Sequence, residues 1–123
     1  MIFIFGGAWQ GMEEYAREAY GVQKIVPVSE DGEIDFSGDA VNKLERFVLR
    51  CVRNGQSSVE CFEQMYDQWK DLVLIGSDIS CGLVPMEAET RALREENGRL
   101  NSYLAQKSEH TIRLFCGLPQ VLK

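Results

Sequence analysis

A glycine loop directly after a short apolar run is the feature of this sequence that most limits its fold. The run Ile2–Phe5 ends at Gly6 and Gly7, and the chain resumes at Gly11 with helix-forming residues. This order predicts a strand, a tight loop and the start of a helix. Backbone N–H groups at a helix N-terminus can surround a phosphate, so we predict phosphate or nucleotide binding here. The predicted binding residues are Gly6, Gly7, Ala8, Trp9, Gln10 and Gly11.

The two residues after this loop are unusual for a nucleotide site. A phosphate-binding loop carries Lys and then Ser or Thr there, because the ammonium pairs with the phosphates and the hydroxyl binds Mg²⁺. Gly6 and Gly11 keep the glycine spacing, but Met12 and Glu13 occupy the two chemical positions. Unit charges about 4 Å apart interact by roughly 4 kcal/mol at an effective dielectric near 20, so the exchange costs several kcal/mol of triphosphate affinity. We predict no confident cofactor, and at most weak binding of GTP or ATP with Mg²⁺.

Length, composition and charge limit the classes of function. The chain has 123 residues, of which 45% are hydrophobic and 26% charged, as expected for one globular domain over residues 1–123. Its net charge of −6 opposes binding to nucleic acid, whose phosphates attract basic proteins. No apolar segment approaches the roughly 20 residues that span a bilayer. We therefore expect a cytoplasmic protein with no nucleic-acid partner and no membrane partner.

The cysteines and the single histidine give no metal-binding pattern. Cys51, Cys61, Cys81 and Cys116 show no Cys-x-x-Cys spacing, and His110 is the only histidine. Zinc needs a cluster of such ligands, so we predict no metal site and free, buried thiols. Cys81 is the thiol to test for reactivity, because it lies in a loop rich in Ser and Gly.

Short apolar runs alternate with helical patterns along the rest of the chain. The predicted strands are Ile2–Phe5, Lys24–Val28, Asp71–Gly76 and Thr111–Cys116, the last ending at Gly117, Leu118 and Pro119. The predicted helices are Met12–Tyr20, Asp39–Asn54 with Asp39 as N-cap, Ser57 to about Trp69 with a capping box to Glu60, and about Glu87 to Lys107. This alternation predicts an α/β fold with a mainly parallel sheet flanked by helices. The order of the strands is not predicted.

One acidic residue stands where catalytic groups gather in such folds. The apolar run Asp71–Gly76 is typical of a strand buried on both faces, and it leads into a loop of small residues that contains Asp78. Ligands bind α/β sheets at the carboxyl ends of the strands. Asp78 is therefore the candidate catalytic residue.

Three stretches in the second half of the chain carry a family resemblance. They read Gly82-Leu-Val-Pro85, Arg91-x-Leu-Arg-Glu-x-x-Gly-Arg-x-Asn101 and Gly117-Leu-Pro-x-Val-Leu-Lys123. In this order they resemble the C-terminal half of the bifunctional adenosylcobinamide kinase and adenosylcobinamide-phosphate guanylyltransferase family of cobalamin synthesis. The resemblance is close over about Leu72–Lys123 and again at Met1–Gly11. Its supporting site candidates are Arg91, Arg94, Arg99 and Asn101.

This resemblance carries expectations about fold, assembly and activity. It implies a shortened P-loop NTPase-like, RecA-like fold, a trimer-like homo-oligomer, and a nucleotide or a corrinoid as partner. The family's kinase Lys and Ser correspond to Met12 and Glu13. The family's guanylyltransferase half uses a histidine that takes up GMP covalently, whereas no histidine lies between Gly21 and Asp71. The resemblance therefore implies the fold and the cobalamin setting, but neither activity.

Three functional hypotheses follow from this combination. The leading one is a degenerate homologue with a disabled phosphate-binding loop, kept for binding or assembly without phosphoryl transfer. The second is an active nucleotide-dependent cobinamide kinase or guanylyltransferase, in which Asp78 holds Mg²⁺ and arginines replace the missing charge. The third is a regulatory subunit of a full-length family enzyme, anchored by an aromatic stripe. The stripe consists of Phe62, Tyr66 and Trp69.

Overall fold

The computed structural model describes residues 1–7, 11–77 and 88–123. The strands are β1 (Ile2–Gly6), β2 (Ile25–Pro27), β3 (Ala40–Asn42), β4 (Val73–Ser77), β5 (His110–Phe115) and β6 (Leu118–Val121). The helices are α1 (Met12–Tyr20), α2 (Leu44–Arg53), α3 (Ser58–Gln64), α4 (Tyr66–Trp69) and α5 (Ala88–Lys107). The predicted alternation of strands and helices is thus confirmed for these parts of the chain.

The described strands form one six-stranded sheet with the order β2-β3-β4-β1-β5-β6. The first five strands are parallel to their neighbours, and β6 returns antiparallel to β5. The glycine loop follows β1, which lies between β4 and β5 near the middle of the sheet. This architecture confirms the α/β fold with a mainly parallel sheet flanked by helices, of the P-loop NTPase-like kind.

Two apolar clusters cover the two faces of the sheet. Side chains of a strand alternate between faces, so Phe3 and Leu74 join the cluster under α2 and α5, while Ile4 and Ile75 join the cluster under α1. The cluster under α2 and α5 is the larger and holds most of the buried aromatic side chains. In the smaller cluster Ala16 of α1 packs against the strands, so that this helix lies against the sheet.

The helix predicted from Asp39 begins at Leu44 instead. Ala40–Asn42 forms β3, a fully buried strand between β2 and β4. Asp39 is therefore not an N-cap, and its carboxylate accepts hydrogen bonds from the backbone N–H groups of Gln23 (2.9 Å) and Lys24 (3.2 Å). These bonds lower the pKa of Asp39. The prediction failed because three buried residues before a helix have the same apolar spacing as a further helical turn.

The chain after β5 forms a hairpin that the sequence prediction missed. Cys116 and Gly117 both have positive φ angles, 52° and 74°. This combination is that of a two-residue turn, which brings Leu118 back to pair with Phe115. The predicted end at Gly117, Leu118 and Pro119 is thus the start of a sixth strand, not a terminus of the sheet.

The free thiols differ in their exposure. Cys51 is buried, as predicted, whereas Cys61 is only half-buried and Cys116 is exposed in the hairpin turn, so the prediction of burial is wrong for these two residues. Burial, together with the neighbouring Cys61, raises the pKa of Cys51 to about 12. Cys51 is therefore a packing residue and not a nucleophile. Cys81 lies outside the described residues.

The aromatic stripe proposed as an interface belongs mostly to the core. Phe62 and Trp69 are fully buried, and the indole Nε1 of Trp69 donates a 2.8 Å hydrogen bond to the carbonyl of Phe62. Tyr66 alone is exposed, at 47%. The predicted single helix breaks at Met65 into α3 and α4, while the N-cap bond from the Glu60 N–H to the Ser57 hydroxyl is present. The stripe therefore gives no support to an interface.

Candidate functional site

The carboxyl edge of the sheet, where β1, β3 and β4 end, brings together residues from three distant parts of the chain. The last residues of these strands are Gly6, Asn42 and Ser77. Gly6 pairs with Ser77 in the register of the sheet. A Cβ atom on Gly6 would lie 2.6 Å from the carbonyl oxygen of Leu114, so only glycine fits at the end of β1. In α/β folds this edge is the usual ligand site.

The predicted phosphate-binding loop is only partly described. Gly6 and Gly7 lie at the carboxyl edge, and Gly11 precedes α1 with a φ of 75°. The other three predicted residues, Ala8, Trp9 and Gln10, lie outside the described residues. The strand, the glycines and the helix start of the sequence prediction are therefore confirmed, while binding by this loop stays a prediction.

Glu13, in the first turn of α1, contacts Asn42 across the carboxyl edge. The side-chain amide Nδ2 of Asn42 donates a hydrogen bond to the carboxylate Oε1 of Glu13. Asn42 is only 6% exposed, whereas Glu13 is exposed. Glu14 adds a second acid to the same helical turn. The contact joins the helix that follows the loop to the end of β3 and brings a negative charge to the edge.

Two buried polar atoms at this edge have no hydrogen-bond partner among the described residues. They are the amide Oδ1 of Asn42 and the hydroxyl Oγ of Ser77. Both side chains lie on the α1 face of the sheet, since Ser77 alternates with Ile75, which packs there. A buried polar group without a partner costs about 1–3 kcal/mol, so such atoms mark places where water or a ligand binds.

Two asparagines of α5 fix the end of β4. The side-chain amides of Asn97 and Asn101 both donate to the carbonyl oxygen of Ser77, at 2.9 and 3.2 Å. They lie four residues apart, on one face of the helix. Asn101 was among the predicted site residues, and the structure brings it to the carboxyl edge. Asn97 was missed, although its spacing from Asn101 was a usable signal.

The three predicted arginines all lie on α5. Arg91 is exposed and Arg94 is half-buried on the first turns of α5. Arg99 pairs with Glu96 at 2.9 Å, and Glu96 in turn accepts hydrogen bonds from the N–H and the hydroxyl of Ser58 at the start of α3. Arg99 therefore has a role in holding two helices. Asp78, the predicted catalytic residue, lies outside the described residues.

Asn42 is the main site residue that sequence reasoning missed. It was hidden because Ala40–Asn42 was assigned to a helix, which would have directed its side chain away from the carboxyl edge. Ser77 was missed because the predicted strand ended at Gly76, one residue before the end of β4. The available signal was the pair Ala40 and Val41 followed by the polar Asn42, directly before an amphipathic helix. This pattern fits the end of a buried strand and places a polar side chain there.

Metal and membrane signals were also sought in the described parts of the chain. Within residues 1–7, 11–77 and 88–123, no group of three or more His, Cys, Asp or Glu side chains is placed to hold a metal ion. None of the helices described in those ranges is both long and apolar enough to cross a membrane.

A separate apolar surface lies on the hairpin of β5 and β6, at the side of the sheet where β6 is the outer strand. Three exposed side chains of the β5–β6 hairpin share the α5 face of the sheet and form what we call the hairpin patch: Phe115 (57% exposed), Leu118 (68%) and Leu122 (59%). Val121 (70% exposed) lies on the opposite face, where its partner Ile112 packs. An open groove of about 670 Å³ runs beside it between α5 and the strands. Phe5, Ala105 and Leu122 line the groove, so it continues the hairpin patch.

Comparison with known protein families gives a match over the last two thirds of the chain. A family model described as cobinamide kinase / cobinamide phosphate guanyltransferase matches residues 41–122. The match covers two thirds of the chain, including β4, α5 and the hairpin, and it begins at the buried strand β3 and not only at Leu72. The resemblance of Met1–Gly11 lies outside the matched range and stays a prediction. No curated protein matches the chain.

Proposed function

The chain belongs to the cobinamide kinase / cobinamide phosphate guanyltransferase family, and from this membership we propose that it is a member without phosphoryl transfer. In this proposal its phosphate-binding loop does not hold a magnesium triphosphate. The protein serves cobalamin synthesis in the cytoplasm by binding a corrinoid or nucleotide weakly, or by assembly. The alternative is an enzyme that transfers phosphoryl or nucleotidyl groups with substitute residues.

The contact between Glu13 and Asn42 is the observation that carries this proposal. In P-loop NTPases the loop Ser or Thr and an acidic residue on a neighbouring strand hold Mg²⁺ on the nucleotide. In this chain the helix supplies the acid, Glu13, and the sheet supplies a neutral amide, Asn42. A carboxylate at this position faces the phosphates with a like charge. The residues of the edge therefore do not fit a magnesium triphosphate.

Met12 strengthens the argument. This residue follows Gly11, where the Lys of a phosphate-binding loop would stand, and its side chain packs against the apolar cluster under α1. It supplies neither the charge nor the reach that a phosphate needs. The exchange removes one favourable charge and adds one unfavourable charge, each worth roughly 4 kcal/mol at 4 Å and a dielectric near 20. The affinity for a triphosphate therefore falls by several powers of ten.

Restoring the two missing groups tests the proposal. The variant Met12→Lys with Glu13→Ser recreates the ammonium and the hydroxyl. We expect GTP binding in the presence of Mg²⁺ to rise by at least about 100-fold over the wild type, measured by isothermal titration calorimetry. The matched control is Met12→Lys with Glu14→Ser, which has the same net charge but keeps Glu13, and which should gain much less.

Two results would contradict the proposal. Submicromolar binding of GTP or ATP to the wild-type protein would mean that the loop is intact. Metal-dependent transfer of label from GTP or ATP to cobinamide, abolished by Asp78→Asn, would establish the enzymatic alternative. The first result is measured by calorimetry and the second by a transfer assay at high protein concentration.

The hairpin patch supports the assembly part of the proposal. Three of the five large apolar side chains that are exposed among the described residues lie in it, the other two being Tyr66 and Val121. An apolar surface of this kind is typical of protein contacts. The outer strand β6 contains Pro119, which lacks an N–H for pairing between edges, so side chains would make the contact. We propose that a second copy of this chain covers the patch, in a trimer.

Charge substitutions in the hairpin patch test this assembly. The variant Leu118→Glu with Leu122→Glu should shift the protein from oligomer to monomer in sedimentation velocity, whereas Tyr66→Glu should not. A wild-type protein that is monomeric at all concentrations would contradict self-assembly. If such a monomer formed a complex with a full-length family enzyme, the regulatory alternative would take its place.

A further inference from the structure

We propose that Cys51 and Cys61 form a redox-active pair, which a hydroperoxide converts into a reversible disulfide between α2 and α3. The inference goes beyond the proposed function, because it involves neither the glycine loop nor a nucleotide. The result of the GTP titration therefore leaves it untouched. In a reducing compartment such a disulfide is transient, and it forms and breaks with the supply of oxidant.

The thiols of these two cysteines are in direct contact. Cys51 lies in the last turn of α2 and is fully buried, and Cys61 lies in α3, half-buried, against the same apolar cluster. Burial raises the pKa of the Cys51 thiol, and so does Cys61, through its charge and through a hydrogen bond between the two side chains. A disulfide forms only between cysteines whose side chains already meet. This pair fulfils that condition.

The short connection between the two helices places the cysteines near each other. Residues 54–57 alone connect α2 to α3. Gly55, with a φ of 65°, follows the end of α2, and the N–H of Gln56 donates a 2.8 Å hydrogen bond back to the carbonyl oxygen of Cys51. The Ser57 hydroxyl then caps the start of α3. Both helix ends are thus closed by local hydrogen bonds, and α3 begins directly beside the last turn of α2.

Two further contacts hold α3 in place on both sides of its cysteine. The rings of Phe47 in α2 and Phe62 in α3 meet edge to face, with their centroids 5.3 Å apart. At the start of α3, the N–H and the hydroxyl of Ser58 donate to the Glu96 carboxylate of α5, at 2.9 and 2.8 Å. Cys61 lies between Ser58 and Phe62 in the chain. Its contact with α2 is therefore fixed by the packing of three helices.

The difference in exposure assigns the first step to Cys61. Because Cys61 is half-buried, a small hydroperoxide can reach its sulfur, whereas Cys51 is fully buried. Cys51, with a pKa of about 12, carries almost no thiolate near neutral pH and is not a nucleophile toward a dissolved reagent. Its role is that of the second thiol, which reacts only with a group already in contact with it. Proximity then offsets the low thiolate fraction.

The two steps balance in atoms and electrons. The sulfur of Cys61 attacks one oxygen of the hydroperoxide, the O–O bond breaks, and the products are a sulfenic acid on Cys61 and an alcohol, or water from hydrogen peroxide. The sulfur of Cys51 then attacks the sulfenic sulfur, so that the S–S bond forms and the S–O bond breaks. The hydroxide leaves with the Cys51 proton as water. The two thiols lose two electrons, and the hydroperoxide gains them.

Peptide mapping of the oxidised wild-type chain tests the inference. The folded protein is treated with hydrogen peroxide, the remaining thiols are alkylated, and the peptides are identified by mass spectrometry. We expect a linked pair of peptides that contains Cys51 and Cys61 and has lost two hydrogen atoms, and dithiothreitol should restore both thiols. A sulfinic acid on Cys61 beside a free Cys51 would overturn the inference. Links from either cysteine to the exposed Cys116 that are as abundant as the expected link would also overturn it.

Two matched variants separate the roles of the two thiols. Cys51→Ala removes the second thiol, so Cys61 should stop at a sulfenic acid that dimedone traps, and should pass to the sulfinic acid with more peroxide. Cys61→Ala removes the exposed partner, so Cys51 should remain a free thiol under the same treatment. Oxidation of Cys51 at the wild-type rate in Cys61→Ala would contradict the assigned order of the steps. The mapping of the wild-type chain does not depend on the folding of either variant.

Discussion

The carboxyl edge and the aromatic core of this protein differ in whether their buried polar atoms have hydrogen-bond partners among the described residues. In the core around Trp69, the one polar atom of the indole donates to the Phe62 carbonyl, and the rings of Phe62, Tyr66 and Tyr103 contact the indole. At the edge, Asn42 and Ser77 each keep a buried polar atom without a partner in the described residues. The core satisfies its polar atom within the fold, whereas the edge does not satisfy these two atoms within the described residues.

A second pair of contacts sharpens this comparison. Glu96 and Glu13 are both acids that meet a polar residue on another element. The carboxylate of Glu96 accepts from the Ser58 N–H and hydroxyl and from Arg99, so that both of its oxygens are occupied. The contact of Glu13 instead leaves the Oδ1 of Asn42 unpartnered among the described residues. The first contact is complete within the described residues, and the second is not.

Removing the central ring of the core should have the largest effect on stability. Trp69→Ala deletes a fully buried indole and its hydrogen bond, and we expect a loss of about 4 kcal/mol in the free energy of unfolding. Chemical denaturation with urea measures the loss. Tyr66→Ala, in the same short helix but 47% exposed, should cost about 1 kcal/mol or less. Similar losses in the two variants would mean that the core does not depend on Trp69.

A methyl group at the carboxyl edge should have the next largest effect. Gly6→Ala places a Cβ 2.6 Å from the Leu114 carbonyl oxygen, and the strand must shift to avoid it. We expect a loss of about 2–3 kcal/mol in thermal or urea unfolding. Gly98→Ala is the control, because a Cβ there meets nothing within 4 Å in the middle of α5 and should add about 0.5–1 kcal/mol.

The contact of Glu96 with Ser58 and Arg99 should contribute less to stability, and its contribution should depend on pH. Burial alone would raise the pKa of Glu96, but hydrogen bonds from Ser58 and Arg99 outweigh it and lower this pKa. Because the folded pKa lies below the unfolded one, the contact stabilises the fold above about pH 4.5 and is lost as the pH falls through the folded pKa. Glu96→Gln should cost about 1–2 kcal/mol at pH 7.

The pH profile of unfolding provides the control for this contact. The difference between the wild type and Glu96→Gln should shrink below about pH 4.5, where the unfolded carboxyl is protonated. Glu95→Gln changes a neighbouring acid whose side chain is 70% exposed, and it should leave the profile close to that of the wild type. A difference between wild type and Glu96→Gln that stays constant from pH 7 to pH 3 would contradict the role of the charge.

The helices and strands with a long hydrophobic pattern could be predicted from the sequence, and those with a short one could not. The long helix α5 and the strands β1 and β4 follow from sustained periodicity or from a continuous apolar run. The three residues of β3 gave too few positions to separate a strand from a helical turn. The hairpin strand β6 is exposed along its whole length, so no burial pattern marked it.

The same difference explains how much of the site was foreseen. The glycine positions were predicted because the backbone itself requires glycine, as the close approach of Gly6 to Leu114 illustrates. Asn101 was found through the family resemblance. Asn42 and Asn97 were missed because a site residue is defined by which strands and helices meet, and the order of the strands is set by long-range packing. Loop residues such as Asp78 stay predictions.

The smallest predicted effect has the opposite sign from the others. Asn42→Leu replaces a buried amide that has an unpartnered oxygen by an apolar side chain of similar shape, and the exposed Glu13 can return to water. We expect a gain of about 1 kcal/mol in the free energy of unfolding. Asn97→Leu is the matched control, since that buried amide donates to the Ser77 carbonyl and its loss should cost about 1 kcal/mol. Opposite signs in two substitutions of the same chemistry would place Asn42 among residues kept for a ligand, whereas a loss of stability in both would mean that the carboxyl edge, like the core, is built for folding.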